Sequence, residues 1–262
     1  MIWGIKDNQR IIASPKDRAI CELCKQELIA KCGEIKIWHW AHKSKIECDS
    51  WWEPENEWHI NWKNEFPKEQ QEITIGIHRA DIKNSKGVIE LQNSSISPED
   101  IFNREEFYRQ MIWLINGEKF AENLEIRQKE EVVTFRWKSP PKSWWFAKKP
   151  IYIDLSKKIY LLKNKLKEYK NGKRDYKTIS EEVGNDYGDG THWESQKIEI
   201  TNLNIKKIKI QIKLLSTNDS ILFIKKLYTN IPCGGWGYLI NKESFLKIFK
   251  EDENENTKNT SK

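Results

Sequence analysis

The chain has 262 residues, of which 38% are hydrophobic and 32% charged, and its net charge is +6. This composition is typical of a soluble globular protein and is long enough for one large domain or two modest ones. No apolar run approaches the ~18 residues of a membrane span, and residues 1–10 lack the apolar core of a secretion signal. We therefore expect a cytoplasmic protein without a membrane partner, and the positive charge weakly favours a polyanion such as DNA.

Four of the five cysteines lie in the first 48 positions. An odd count without a secretion signal argues against disulfides, and local clustering indicates metal. A Cys-x-x-Cys pair is followed, after a gap of fourteen residues, by a His-x-x-His pair, which is close to zinc-finger spacing. The candidate ligands of a structural zinc are Cys21, Cys24, His39, His42 and, as an alternate, Cys48. Packed histidines beside free thiols remain the other interpretation, and Cys32 and Cys233 are expected to be buried hydrophobes.

Residues 51–118 alternate helix and strand patterns. Residues 55–66 predict a helix, because Trp58, Trp62 and Phe66 recur at steps of four and form one apolar stripe. The proline that follows ends the helix, since proline disfavours helical backbone in the residue before it.

Two strands joined by a turn follow this helix. Residues 71–82 alternate and predict a single strand, and residues 88–92 predict a second. The first would place five side chains on one face, namely Ile73, Ile75, Ile77, Arg79 and Asp81. The second would place Glu90 and Gln92 on a common face.

A further helix is predicted over residues 98–110, with Ser97 as its cap and Pro98 at its first position. Residues 111–115 are fully apolar and predict a strand. Later strands are predicted at 151–155, 197–200, 205–213 and 221–228, with a polar loop over 171–195. The expected organisation is a zinc-finger-like module (1–50), an α/β core (51–118), a β-rich C-terminal region (119–250) and a disordered tail (251–262). Region 119–250 is either an added domain or an extension of the core sheet.

Asp81 and Glu90 fall side by side on the two predicted strands. Paired carboxylates form a hard oxygen site suited to Mg²⁺ or Mn²⁺, helped by the backbone carbonyl of Leu91. Such an ion would activate water and neutralise charge on a phosphate. Gln92 stands where a lysine would complete the usual catalytic set, and a Gln amide orients a water without carrying charge. An ordinary surface hairpin is the alternative.

The flanking helices favour the metal site. Glu55, His59 and Lys63 recur at steps of four on the first helix, and Arg104 and Tyr108 repeat that spacing on the second. The first three are candidates to support the metal and the chemistry. Arg79, Arg104 and Tyr108 are candidates to brace the site or hold phosphates. A solvated helix face is the alternative interpretation.

Together these motifs resemble the competence protein CoiA-like family of the PD-(D/E)XK nuclease superfamily. The residues that carry the resemblance are Glu55-Asn-Glu-Trp-His59-x-x-Trp-Lys63, His78-Arg79-Ala-Asp81-Ile, Ile89-Glu90-Leu-Gln92-Asn-Ser94-Ser95-Ile96 and Arg104-x-x-x-Tyr108, with His39-Trp-Ala-His42 in the Cys/His region. The resemblance implies a restriction-endonuclease-like core, metal-dependent cleavage of DNA and a link to DNA uptake, recombination or defence. Gln in place of Lys is also usual in that family.

An aromatic pair lies outside these motifs. Trp144 and Trp145 are flanked by Lys142, Lys148 and Lys149. A basic, aromatic patch of this kind stacks bases and holds phosphates in single-strand binders. Packed aromatics beside solvated lysines are the alternative.

Two functions therefore follow from the sequence. The first is a Mg²⁺-dependent nuclease acting on DNA. The second is a zinc-stabilised DNA-binding or recombination accessory protein whose nuclease site is degenerate, which predicts salt-dependent binding without cutting. The oligomeric state is left open.

Overall fold

The computed structural model describes residues 1–34, 37–44, 48–156, 176–183, 192–199, 209–211, 214, 221–229 and 233–250. Over these ranges the chain is a strand-rich mixture of helices and sheets. None of the helices found there combines the length and the apolar character needed to cross a membrane. The predicted tail over 251–262 lies outside the described residues.

The N-terminal region forms a five-stranded antiparallel sheet whose strands are Trp3–Lys6 (β1), Gln9–Ile12 (β2), Arg18–Ile20 (β3), Glu27–Lys31 (β4) and His39–His42 (β5). They lie in the order β2-β1-β3-β4-β5. Asp7 and Asn8 have φ values of 50° and 61° and close a two-residue hairpin, a backbone conformation that Asp and Asn tolerate. Leu28 and Trp40 form the centre of a small core of their own.

The remaining strands are Gln71–Ile75 (β6), His78–Asn84 (β7), Gly87–Gln92 (β8), Met111–Asn116 (β9), Leu124–Lys129 (β10), Val132–Trp137 (β11), Ile151–Asp154 (β12), Tyr176–Val183 (β13), His192–Glu199 (β14), Ile221–Tyr228 (β15) and Gly234–Ile240 (β16). Nine of them form one sheet in the order β10-β11-β16-β15-β12-β9-β8-β7-β6, and β13 pairs with β14. Strand β9 is parallel to both β8 and β12. The predicted C-terminal region therefore extends the core sheet.

Among the described residues, three α-helices with defined bounds pack on the two faces of the large sheet: Glu57–Lys63 (α1), Pro98–Tyr108 (α2) and Lys242–Phe249 (α3). Helices α1 and α3 share one face, where the rings of Trp62 and Phe245 lie 5.4 Å apart. Helix α2 packs on the other face. The predicted cap is confirmed, since the Ser97 hydroxyl accepts a hydrogen bond from the backbone N–H of Asp100 at 3.0 Å. Asn56 caps α1 in the same way.

Several tryptophans donate hydrogen bonds to buried acids. The Asp154 carboxylate accepts hydrogen bonds from the indoles of Trp58 and Trp62, both at 2.8 Å. The Glu105 carboxylate accepts one from the indole of Trp113 at 2.9 Å. Because a buried carboxylate without partners is costly, these indoles explain how strands and helices pack closely around charged groups.

The prediction of one continuous strand over residues 71–82 is wrong. The chain turns at Gly76, whose φ of +56° suits glycine, and Ile77 is 72% exposed at the turn. Ile77 therefore does not share a face with Arg79 and Asp81, and neither do Ile73 and Ile75, which lie opposite Ala80 and His78. Arg79 and Asp81 do share one face of β7, because their burial alternates with that of the core residues beside them.

Two predictions in the C-terminal region are also corrected. The polar loop expected over 171–195 contains most of the β13–β14 hairpin, because backbone pairing between two strands requires no apolar run. The strand expected over 205–213 is helical where it is described, at residues 209–211. There Ile210 is 55% exposed, whereas Leu214 packs on the core. The strands predicted at 151–155 and 221–228 are confirmed. Of the strand predicted at 197–200, residues 197–199 form the end of β14, and residue 200 lies outside the described residues.

Candidate metal centres

Strands β7 and β8 bring Asp81 and Glu90 together. The backbone N–H of Asp81 points at Glu90 Oε1 over 3.4 Å, and Asp81 Oδ2 accepts a hydrogen bond from the backbone N–H of Leu91 at 2.9 Å. This proximity follows from antiparallel pairing, in which Ile82 lies opposite Ile89. Two carboxylates and the carbonyl of Leu91 thus lie in one small region.

Lys63 is the central cation of this region. Its ammonium group lies 2.6 Å from Glu55, 2.9 Å from Asp81 and 3.1 Å from Glu72, and its side chain is 1% exposed. Burial alone would lower the pKa of Lys63, but the neighbouring carboxylates, led by Asp81, raise it well above its usual value. Lys63 therefore carries its charge at any ordinary pH.

Glu90 is buried on the sheet and held by a cation from α2. Arg104 Nη1 donates to Glu90 Oε2 at 3.0 Å, and Arg104 Nη2 donates to the carbonyl of Trp51 at 2.8 Å. Burial, together with the charge of Asp81, raises the pKa of Glu90 to about 8. A carboxylate in this environment binds a cation strongly once it gives up its proton, because the cation replaces the missing solvation.

Glu53, which the sequence did not single out, organises the other side of the region. It lies 2.7 Å from His59 Nε2 and accepts the backbone N–H groups of Asn93 and Ser94. The Gln92 amide nitrogen donates to the carbonyl of Ser94 at 3.1 Å, which leaves Gln92 Oε1 buried without a partner in the described part of the chain. Gln92 is 3% exposed and is not among the described residues that line the pocket beside Glu90.

Glu53 also predicts an acid-dependent stability. Burial alone would raise its pKa, but hydrogen bonds from His59 and Ser94 lower it to about 2. Because the folded pKa is below the unfolded value of about 4.3, this stabilisation is present above that value and is lost as the pH falls towards 2. We expect Glu53→Gln to remove about 3 kcal/mol of stability at pH 7 and to flatten the decline between pH ~5 and ~2.

The measurement is urea unfolding of both proteins across this pH range. Glu69→Gln is the control, because that side chain is 68% exposed and surface charges contribute little. A Glu53→Gln variant with the stability and acid slope of the parent protein would contradict the role of this carboxylate.

The region is a pocket with room for an ion. It encloses a cavity of about 40 Å³, enough for about three water-sized groups. Six lining residues carry carboxyl groups, and three carry permanent positive charges. Several oxygen donors in a confined space fit a divalent ion such as Mg²⁺ or Mn²⁺, which would replace the protons that the buried carboxyl groups hold.

The three residues predicted to brace the site or hold phosphates are placed differently. Arg104 and Tyr108 are only 8% and 9% exposed, and Arg104 is occupied by Glu90. Burial raises the pKa of Tyr108, whose ring packs against Trp51. Both are therefore in bracing positions. Arg79 lines the pocket.

A second cluster lies in the N-terminal sheet. The ligand atoms of Cys21, Cys24, His42 and Cys48 all lie within 4.8 Å of one another. Cys21 Sγ is 3.6 Å from Cys48 Sγ, and Cys24 Sγ is 3.2 Å from His42 Nε2. Ligands bound to a tetrahedral zinc ion are separated by about 3.4–3.8 Å, so the cluster has the donor set and the spacing of a structural zinc site.

The cluster resolves which of the five candidates come together. His39 lies apart, and its Nδ1 donates to the carbonyl of Ile37 at 2.8 Å. His39 and His42 are three positions apart on β5, so their side chains point to opposite faces. Cys48 takes the place that the His-x-x-His pattern assigned to His39. Burial, together with neighbouring thiols, raises the pKa of Cys48 to about 12. Zinc would displace the proton of this thiol on binding.

Comparison with protein families identifies the N-terminal region. Residues 6–50 match the family model described as competence protein CoiA, N-terminal domain. Residues 6–50 are therefore similar to that domain. This match supports the family resemblance seen in the motifs, and it contains the complete Cys/His cluster. No curated protein and no solved structure matches the chain.

We expect a zinc ion bound to the Cys/His cluster to stabilise the folded N-terminal region. We expect about one zinc ion per purified chain, loss of that zinc in Cys24→Ala, and a lower unfolding temperature for the variant. Cys32→Ala is the matched control, because Cys32 lies outside the cluster. Elemental analysis and thermal unfolding measure both effects. Equal zinc contents in the two variants would refute the site.

The N-terminal region also contacts the carboxylate pocket, through two acids that sequence patterns missed. Asp49 accepts the backbone N–H of Arg79 at 2.8 Å, and Glu72 accepts the backbone N–H of Ile2 at 2.9 Å while it contacts Lys63. Asp49 follows Cys48 directly. These acids lie in loops or at a strand edge, where no periodicity marks them. Two cysteines lie outside the cluster: Cys233 is 7% exposed, as expected, whereas Cys32 is only partly buried.

Proposed function

We propose that the chain is a metal-dependent nuclease of the PD-(D/E)XK type that hydrolyses phosphodiester bonds in DNA. The proposal depends mainly on one observation, the convergence of Asp81 and Glu90 beside the ammonium group of Lys63. The Leu91 carbonyl, which His59 Nε2 contacts at 3.2 Å, belongs to a residue of the same pocket. An isolated pair of surface acids would not bring a buried cation with it, since burying Lys63 is unfavourable unless it is paired.

The arrangement of secondary structure is consistent with this proposal. Both carboxylates lie on neighbouring antiparallel strands, β7 and β8, and helices α1 and α2 lie on either side along the chain. The sequence motifs that resemble the nuclease superfamily fall on these same four elements. Region 119–250 adds strands to the sheet without contributing to the carboxylate pair.

Each residue has a chemical role in the proposed reaction. A bound Mg²⁺ or Mn²⁺ ion would activate water and stabilise the charge that develops on the phosphate. Lys63 supplies a fixed positive charge close to Asp81. This charge would replace that of the usual catalytic lysine, whose position in the sequence is occupied by Gln92. In this proposal Gln92 Oε1, which is buried without a partner among the described residues, would be the acceptor for a water molecule, and Arg104 fixes the orientation of Glu90.

The family match suggests the biological setting. Residues 6–50 match a domain named for competence, which supports a competence-related role for the chain, in DNA uptake or recombination. A nuclease that trims or nicks incoming DNA is consistent with such a role.

A second function is supported by a specific observation. Lys63 and Arg104 already pair with Asp81 and Glu90, and Gln92 carries no charge. The pocket is therefore able to persist as a structural ion-pair network in a zinc-stabilised DNA-binding or recombination accessory protein with a degenerate nuclease site.

One experiment separates the two functions. The purified protein is incubated with supercoiled plasmid, linear duplex and single-stranded DNA, with Mg²⁺, with Mn²⁺ and without divalent ions. The nuclease proposal predicts cleavage only when a divalent ion is present. DNA binding that weakens with salt, without cleavage under any condition, would support the accessory function and overturn the nuclease.

A further inference from the structure

A groove lies where β15 extends beyond its neighbour β12. The two strands pair only as far as Ile151 and Ile224, because β12 begins at Ile151, directly after Pro150. Strand β15 continues to Tyr228, paired there with β16. The 3-10 helix Lys142–Phe146 forms the opposite wall, and the space between them is about 440 Å³, which is within the range of ligand sites.

The groove is basic and aromatic. Trp145 and Phe223 line it together with four lysines, namely Lys148, Lys149, Lys225 and Lys226. None of its lining residues is acidic. Three of these lysines are exposed, and none of the four has a carboxylate partner among the residues that the structure describes. Unneutralised lysines that converge on one groove attract an anion of several charges.

The aromatic rings stand beside the ammonium groups. Lys225 Nζ lies 4.6 Å from the ring centroid of Phe223, and Lys142 Nζ lies 6.0 Å from that of Trp145. Trp145 is half-buried, whereas its neighbour Trp144 is 5% exposed and packs against Trp113. The predicted Trp pair is therefore divided: Trp144 belongs to the core, and Trp145 remains at the wall of the groove.

We propose that this groove binds single-stranded DNA, with a base stacked on Trp145 and phosphates neutralised by the four lysines, while the ring of Phe223 is already stacked on Tyr152. Flat rings that alternate with cations are what an unpaired nucleic-acid strand requires. A duplex keeps its base faces stacked inside, and an acidic peptide offers charge without rings to stack. Both of these ligands use the lysines and leave Trp145 without a role.

The groove and the carboxylate pocket lie along the same sheet. Glu90, Trp113, Ile151 and Ile224 occupy matching register positions on four adjacent strands. Three strand spacings, or about 14 Å, separate the backbone of Glu90 from that of Ile224. A functional link between the two sites rests on the proposed nuclease function, whereas binding in the groove does not.

The test is fluorescence anisotropy of a labelled oligodeoxythymidylate, measured without divalent ions so that cleavage does not contribute. We compare the parent protein with Trp145→Ala and with Lys225→Gln/Lys226→Gln. The control is Lys16→Gln/Lys31→Gln, which removes the same charge from two exposed lysines of the N-terminal sheet. We expect Trp145→Ala to weaken binding about fivefold or more, and the groove lysine pair to reduce the salt slope by about 1.4.

The outcomes decide the proposal. Weaker binding by both groove variants, with the control unchanged, supports it. Affinities equal to that of the parent, or equal losses in the groove and control variants, overturn it. Competition by polyglutamate as effective as that by unlabelled oligodeoxythymidylate also overturns it. The lysine pair is exposed, so its result stands if Trp145→Ala fails to fold, and the plasmid cleavage assay reports on the nuclease separately.

Discussion

Replacing Lys63 with methionine is expected to destabilise the protein by about 3–5 kcal/mol. The ammonium group is 1% exposed and touches three carboxylates, those of Glu55, Glu72 and Asp81. Methionine preserves most of the side-chain volume but leaves these acids facing one another in a closed pocket. Their repulsion, and the proton uptake needed to relieve it, would then oppose folding. The free energy of unfolding in urea measures the loss.

Lys242→Met is the matched control for this prediction. Lys242 also lies 2.6 Å from a single carboxylate, that of Glu65, but both side chains are substantially exposed, at 42% and 33%. A surface pair of this kind contributes about 1 kcal/mol or less. If Lys63→Met costs no more than Lys242→Met, the buried network does not support the fold.

Asp81→Asn is expected to reduce metal-dependent DNA cleavage by about a thousandfold or more, since loss of a metal-binding carboxylate removes several kcal/mol of transition-state stabilisation. Asparagine preserves the shape of the side chain and retains an oxygen for the backbone N–H of Leu91, which Asp81 Oδ2 accepts now. The fold should therefore survive the change. The initial rate of plasmid relaxation with Mn²⁺ measures the effect.

Asp17→Asn provides the control for Asp81→Asn. The two aspartates are similarly exposed, at 25% and 22%, and each pairs with a lysine. Asp17 lies in the N-terminal region and should not affect cleavage. Full activity in the Asp81→Asn variant would remove this carboxylate from the proposed chemistry.

Periodicity located the elements that carry the carboxylates, because their buried residues repeat with the period of the structure they form. Trp62 and Phe66 lie in the core as the helical stripe predicted, and Glu90 lies on the strand predicted over 88–92. The single strand over 71–82 failed because alternation continues through a tight turn at Gly76 without any visible break. A glycine inside an alternating run is the local signal that such a turn leaves.

Contacts between distant segments were beyond the reach of local patterns. Glu53 reaches residues about forty positions away, and Asp49 reaches Arg79 across thirty. Neither acid stands in a repeating pattern, so only the folded chain shows that they line the pocket. The choice of Cys48 over His39 likewise depends on which face of β5 each histidine occupies.

The two candidate metal centres are physically linked. Cys48 belongs to the Cys/His cluster, and its neighbour Asp49 holds the backbone of Arg79, two residues before Asp81 on β7. From the other end of the N-terminal domain, the backbone of Ile2 donates to Glu72, which contacts Lys63. The N-terminal region therefore contacts residues that line the carboxylate pocket, and Asp49 is itself one of them.

The most direct measurement is a calorimetric titration of Mn²⁺ into the zinc-loaded protein and into Asp81→Asn and Glu90→Gln. A metal centre formed by these two carboxylates predicts about one Mn²⁺ site per chain, absent from both variants and retained in Asp17→Asn. Mn²⁺ binding that is unchanged in Asp81→Asn and Glu90→Gln, or absent from the parent protein, would contradict the proposal that Asp81 and Glu90 hold a catalytic ion.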